Sequence, residues 1–258
     1  MPVDNELYDR MAASWWDENG FLHLLKALNP ARFGYMRRVL VDELGRDPVG
    51  LAALDIGCGG GLLAEEFAAL GCRVTGVDPS AESLAVARAH AAEVGLEIDY
   101  RQGSGEALPF ADEVFDVAYC CDVLEHVNDL GRVIRETARV LAPGGIFLYD
   151  TINRTATSKL VMIKAFQEWS WTSFMPPNLH DWSMFIKPEE LTAELRRSGL
   201  VPRGLTGLKP RINPLRLIWI LRARKRGRLS FLEAVRRADL GESRDRSMLY
   251  IGWAEKPA

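Results

Sequence analysis

From Leu51 to Thr151, short apolar runs alternate with stretches in which apolar residues recur every three or four positions. Parallel strands buried on both faces and joined by crossover helices read this way. Strands are predicted over Ala53–Ile56, Arg73–Val77, Glu97–Arg101, Phe115–Cys121 and Ile146–Asp150. Ser80 can cap a helix in which Leu84, Ala87, Arg88 and Ala91 share a face, and Gly95 stands where a left-handed cap would close it. A second helix is predicted over Val127–Leu141, with Leu130, Val133, Ile134, Thr137, Ala138 and Leu141 on one face and a stop at Pro143-Gly144-Gly145. The fold class that follows is α/β, a doubly wound and mostly parallel sheet. Ligands of such sheets sit at the carboxyl ends of the strands, so the loops after residues 56, 78, 101, 121 and 151 are expected to converge on one cleft.

The first of those loops indicates a ligand. Residues 51 to 61 read Leu-Ala-Ala-Leu-Asp-Ile-Gly-Cys-Gly-Gly-Gly, and the next strand ends on Asp78. Glycines at 57, 59 and 61 let the backbone turn sharply and approach a ligand closely, while an acid closing the next strand can accept hydrogen bonds from both hydroxyls of a ribose. The ligand is expected to be a nucleoside. A dinucleotide loop would need its third glycine at 62, where this chain has Leu62, and Asp55 directly before the glycines is poorly placed beside a pyrophosphate. The plain alternative is a tight turn that holds nothing.

Composition narrows the class. A chain of 258 residues, 48% hydrophobic, suffices for one large α/β domain with additions. Lys+Arg 32 against Asp+Glu 35 leaves a formal net charge of -3, so no global feature points to nucleic acid. Cys58, Cys72, Cys120 and Cys121 fall in or beside core elements, which argues against a disulfide framework and for a reducing, cytoplasmic setting. Met1 to Asp9 carries acids where a secretory signal would be basic, and no run of 18 apolar residues occurs. The expectation is a protein neither exported nor membrane-spanning.

Polar groups cluster in the remaining loops. Gly103-Ser104-Gly105-Glu106 can set backbone and short side chains against an adenine, or can simply be a turn. After the fourth strand come Asp122, Glu125 and His126, and hard oxygens with an imidazole suit Mg²⁺, Mn²⁺ or Zn²⁺. His126 is thus a metal ligand or a general base; equally, the acids can serve a helix N-terminus while His126 is structural. His180, before a helix opened by Pro188, is a second base candidate. His90 reads as solvated surface, and His23 has no evident partner.

Ser14-Trp15-Trp16-Asp17, Leu28-Asn29-Pro30-Ala31-Arg32-Phe33-Gly34-Tyr35, Leu54 to Glu65, Leu124-Glu125-His126-Val127, Asn153-Arg154, and His180-Asp181 before Phe185-Ile186-Lys187-Pro188-Glu189 together resemble the ubiquinone-biosynthesis O-methyltransferases. These are class I S-adenosylmethionine-dependent enzymes that methylate polyprenylated catechols. The resemblance spans residues 6 to 208. It implies a Rossmann-like methyltransferase fold in a single domain, with an N-terminal helical segment over 1–50, a cofactor-binding core over 51–155, and an acceptor-side cap with C-terminal strands over 156–258. It implies S-adenosyl-L-methionine as cofactor: Asp55 and the loop of Gly57, Gly59 and Gly61 at its amino-acid end, Asp78 on the ribose, Ser104 and Cys121 nearby, and Arg32 pairing the methionine carboxylate. Asp122, Glu125 and His126 fall where the family's divalent metal, Mg²⁺ or Zn²⁺, is held, although the first family acid is usually Glu. Methyl transfer from a sulfonium is an in-line displacement, and a phenol of pKa about 10 must lose its proton to act as nucleophile. His126, Glu125 and His180 are the candidates to assist. The implied partner is a small phenolic acceptor. A methyltransferase for another small molecule, or a non-catalytic module that keeps the cofactor and docks on membranes, are the alternatives.

One segment departs from that family. Lys209 to Arg228 contains Lys209, Arg211, Arg216, Arg222, Arg224, Lys225, Arg226 and Arg228 with no acid, where relatives have a shorter and less basic connection. Trp219 and neighbouring aliphatics lie among these cations, and Lys159 to Met175 is apolar and bears Trp169 and Trp171. Both suit an anionic membrane surface, where each basic residue contributes about 1 kcal/mol. The competing expectation is a lid and a terminal helix docked on the sheet.

Overall fold

A computed structural model describes residues 5–18 and 20–258. Residues 1–4, which open the acidic Met1–Asp9 stretch, and residue 19 lie outside the described residues. The five predicted strands form as β1 (Ala52–Ile56), β2 (Arg73–Asp78), β3 (Asp99–Gln102), β4 (Phe115–Cys121) and β5 (Leu141–Ile152). With β6 (Val201–Pro210), β7 (Leu240–Ser243) and β8 (Leu249–Glu255) they make one sheet of order β3-β2-β1-β4-β5-β8-β6-β7. The strands from β3 to β5 pair in parallel, whereas β8 is antiparallel to both β5 and β6. The order reverses at β1, so the crevice between the loops after β1 and β4 is the ligand position of a doubly wound sheet.

Alternation along β1 shows how the core is divided. Ala53 packs with Tyr35, Met36, Phe67 and Tyr119 on one face; Leu54 and Ile56 pack with Val133, Ile134, Phe147 and Leu191 on the other. The covering helices are α2 (His23–Arg37), α3 (Ala64–Ala69), α4 (Ala81–Glu93), α5 (Leu130–Val140) and α7 (Pro188–Arg197). α4 starts as expected, with the Ser80 hydroxyl accepting from the Ser83 amide at 3.0 Å. Shorter pieces are α1 (Asn5–Met11) and α6 (Ala156–Ser158), the latter running into a wider helical stretch, Lys159–Glu168. One helix, α8 (Pro214–Lys225), lies within the basic insertion, and α9 (Phe231–Ala238) follows it.

Two boundaries differ from expectation for physical reasons. α5 begins at Leu130 and not at Val127, because Leu124–His126 forms a separate tight turn, Val127 is extended, and the Asp129 side chain caps the helix on the Arg132 amide. Leu141 leaves the helix to pair with Phe115, so Pro143-Gly144-Gly145 lies inside β5, and Gly144, at φ +74°, turns its amide to the Lys256 carbonyl. Among the described residues, no helix is long and apolar enough to cross a membrane.

Candidate active site

The carboxyl ends of the strands are level, Ile56 opposite Val77 and Cys121 opposite Asp150, and their loops enclose a cavity of about 380 Å³. Gly57 must be glycine: at φ +75° an added Cβ would run into Val123 of the loop after β4. Gly59, at φ +50°, has the Trp15 indole against it, and its amide donates to Asp78 Oδ2 at 2.9 Å. Asp78 Oδ1 accepts from the Ser80 amide at 2.9 Å. Each carboxylate oxygen therefore keeps a lone pair for a ligand hydroxyl.

Of the residues singled out in the sequence, Gly57, Gly59, Asp78, Ser104, Cys121, Asp122, His126 and His180 line this cavity. Asp55, Gly61, Arg32 and Glu125 do not. Asp55 is buried under the loop, its Oδ2 has no hydrogen-bond partner among the described residues, and burial beside Asp78 raises its pKa well above the carboxylate range. A cationic group placed there would relieve both conditions. Gly61 instead makes room for Tyr100. Arg32, which the resemblance puts on the cofactor carboxylate, is here buried between Asp150 and Asp122, with Nε donating to the first and Nη2 to the second.

That pairing bears on Asp122. Its backbone is left-handed, φ +53°, which costs a non-glycine residue of order 1 kcal/mol. The Asp150 carboxylate holds the Asp122 amide at 2.9 Å while Arg32 takes the side chain. Glu125 turns the other way, accepting from Thr151 Oγ1 at 2.8 Å, and burial together with Asp122 pushes its pKa up to about 8. Only His126 of the three keeps a ring for the cavity. The expectation that Asp122, Glu125 and His126 gather round Mg²⁺ or Zn²⁺ finds no support in this geometry: among the described residues no group of three or more His, Cys, Asp or Glu is arranged to hold a metal. One acid is spent on a guanidinium and the other is buried on a threonine.

His126 and His180 come together from loops 54 residues apart, their ring centroids 5.1 Å from each other. Burial lowers His126 to about 4 and, with His126 adding to it, His180 to about 3. Both imidazoles are neutral at physiological pH. His180 Nδ1 has no partner among the described residues, and its amide donates to Gln167 Oε1 at 2.7 Å. Behind the pair the wall is apolar, with Ile152, Met162, Met175, Leu179 and Leu249.

Sequence reasoning missed the outer wall, which Tyr8, Trp15, Phe21, Leu22, Leu25 and Leu28 supply from the N-terminal segment. A helical recurrence of apolar residues from Phe21 to Leu28 was the available signal. Trp15 is fixed by its Nε1 donating to Ser83 Oγ at 3.0 Å, and Trp16 by its Nε1 donating to the Gly60 carbonyl at 2.9 Å. His90, expected on the solvated surface, stacks on Trp16 with centroids 3.3 Å apart and contacts Glu65 at 2.7 Å. His23 is buried, its Nδ1 3.4 Å from the Trp15 carbonyl.

The family model for a methyltransferase domain matches residues 54–149. The chain is 41% identical over 208 residues to a ubiquinone biosynthesis O-methyltransferase from Methylobacterium sp. (strain 4-46), covering 78% of this chain and 82% of that one. To the protein of the same name from Ruegeria pomeroyi it is 42% identical over 225 residues, 84% and 89% of the two chains. Among solved structures it is similar to the YcgJ protein from Bacillus subtilis, with TM-score 0.59, 20% identity, and 88% and 98% of the chains covered. An S-adenosylmethionine-dependent methyltransferase from Mesorhizobium loti is a second likeness, with TM-score 0.58, 22% identity, and 88% and 99% covered. The two structures carry the likeness of fold.

Proposed function

Because the chain belongs to the ubiquinone biosynthesis O-methyltransferase family, and so is an S-adenosylmethionine-dependent O-methyltransferase, we propose that its acceptor is a phenolic oxygen of a hydrophobic, polyprenylated catechol or hydroquinone. The observation that carries this reading is the division of the cavity. One end has the glycine loop and Asp78; the other has two neutral imidazoles in front of an apolar wall.

S-adenosylmethionine, when bound, would supply a methyl group on a sulfonium to an acceptor oxygen that gives up its proton. Asp78 would hold its ribose hydroxyls on the lone pairs left free by the Gly59 and Ser80 amides. The unpartnered oxygen of Asp55 suits the amino group at the other end of the same molecule. His126, on the cavity wall with His180 beside it, is the group placed to accept the phenolic proton. Glu125 at about 8 keeps its own proton and acts on the structure, not the acceptor. No metal enters this reading, since Asp122 and Glu125 are engaged by Arg32 and Thr151.

A prenylated acceptor dissolves in a bilayer, and the same reading puts the enzyme on an anionic membrane surface. Along α8, Leu215, Ile218, Trp219 and Arg222 follow one another at helical spacing on a single stripe, which Arg226 continues just past the helix end. Leu215 is 81% and Trp219 56% exposed. Lys225 Nζ reaches the Ser173 carbonyl at 3.0 Å, which ties the α8 end to the loop bearing Trp169 and Trp171.

The test is turnover with labelled cofactor over a panel of catechols of rising prenyl length. Label should enter catechols, and His126→Ala should lower kcat by roughly 100-fold or more with cofactor affinity unchanged. Cofactor binding without transfer to any phenol would sink the reading and leave the binding-module alternative.

A further inference from the structure

The Tyr8 phenol is a polar group on the cavity wall that the mechanism above does not use. Tyr8 comes from α1, lines the cavity, and meets the His126 ring edge-on with centroids 6.3 Å apart and planes at 80°. Among the described residues no hydrogen bond reaches its hydroxyl. A phenol, of pKa about 10, keeps its proton at neutral pH, so the hydroxyl is a donor. A donor facing a ligand cavity with no protein acceptor is satisfied by an oxygen of the ligand.

Which oxygen follows from His126. Resting on the reading that a phenol is methylated at His126, we infer that the Tyr8 hydroxyl donates a hydrogen bond to the oxygen on the neighbouring ring carbon and so selects acceptors bearing two adjacent oxygens. Oxygens on neighbouring carbons of one ring lie within hydrogen-bond reach of each other. When one faces the imidazole, the other can face the phenol whose ring abuts that imidazole. A single-oxygen phenol would leave the Tyr8 donor unsatisfied, and a site whose buried polar group goes unpaired rejects the ligand that fails to pair it.

Tyr8→Phe tests this without disturbing the fold, because it deletes an atom with no partner among the described residues; a thermal melt checks that. A short-chain catechol and the matching monophenol are compared, each as substrate or as competing ligand, and cofactor affinity is measured by calorimetry. For the catechol, KM should rise roughly threefold to tenfold, as for loss of one hydrogen bond, with kcat nearly unchanged. The monophenol should bind the variant more tightly than the wild type, because the donor it leaves unpaired is gone, and the cofactor should bind both alike. Equal losses on both phenols, or no change on either, would overturn the inference, and weakened cofactor binding would reassign the hydroxyl to the cofactor. Failure of the wild type on every phenol would strike the proposed function itself, a different result from an active wild type that Tyr8→Phe leaves indifferent.

Discussion

Glu125 and His126 are adjacent in the chain, yet burial drives their proton affinities in opposite directions. Desolvation disfavours whichever form is charged, so the carboxyl rises from 4.5 to about 8 while the imidazole falls from 6.5 to about 4. The consequences for stability have opposite signs. Folded Glu125 holds a proton that the unfolded chain releases, so its contribution is complete below about 4.5 and is lost as pH rises through about 8. His126 and His180, which fold unprotonated, contribute fully above 6.5 and lose it as pH falls through about 4 and about 3. The melting temperature should therefore decline on both sides of mildly acidic pH. In Glu125→Gln the alkaline decline should shrink while the acid side stays, as read by thermal melts from about pH 3 to 9. An unchanged alkaline slope would mean that Glu125 ionises freely in the folded protein.

At the level of elements, Arg32 joins three of them. α2 supplies the guanidinium, β5 supplies Asp150, and the loop leaving β4 supplies Asp122. All three side chains are buried or nearly so, and removing one member of such a set strands the others without their countercharge. Arg32→Met should cost about 3–5 kcal/mol, lowering the melting temperature by roughly 6–20 °C for a chain of this size. Asp122 should lose its left-handed conformation at the same time, so turnover of the surviving folded protein should fall. A melt within about 1 kcal/mol of wild type would show that the ion pairs are not formed in solution. The sequence showed Arg32 as part of a recognisable stretch, but it could not show Asp150, which lies 118 residues away. Likewise Trp16 and His90 were both visible, and only folding laid one ring on the other.

For the whole molecule the relevant quantity is how charge is distributed. The net charge is -3, but the Lys209–Arg228 stretch is wholly basic. Inside it, Lys209 pairs with Asp245 and Arg211 with Asp239. Arg222, Arg226 and Arg228 make no ion pair among the described residues and border a pocket with Leu215, Ile218 and Trp219. Vesicles containing anionic lipid should retain the protein at low salt and release it as the Debye length shrinks to about 8 Å at physiological ionic strength. Neutral vesicles should retain it poorly. Replacing Arg222, Arg226 and Arg228 with Glu should abolish co-sedimentation yet preserve activity on a short, soluble acceptor. Wild-type protein that ignores anionic vesicles would remove the membrane part of the proposal.

Sequence alone determined the parallel core, because buried strands, helix caps and glycine turns are local patterns that repeat wherever the chain must turn at the end of a strand. The expectation of a nucleoside ligand was local too, since Gly57, Gly59 and Asp78 lie within a single βαβ unit. Tertiary structure decided what each acid does. Asp122 and Glu125 sit three residues apart in a sequence that suits a metal, but one finds Arg32 and the other Thr151 across the sheet. It also decided that a phenol from residue 8 and imidazoles from residues 126 and 180 share one cavity wall. Contacts between positions so far apart depend on where the sheet brings their loops, and no local periodicity encodes that.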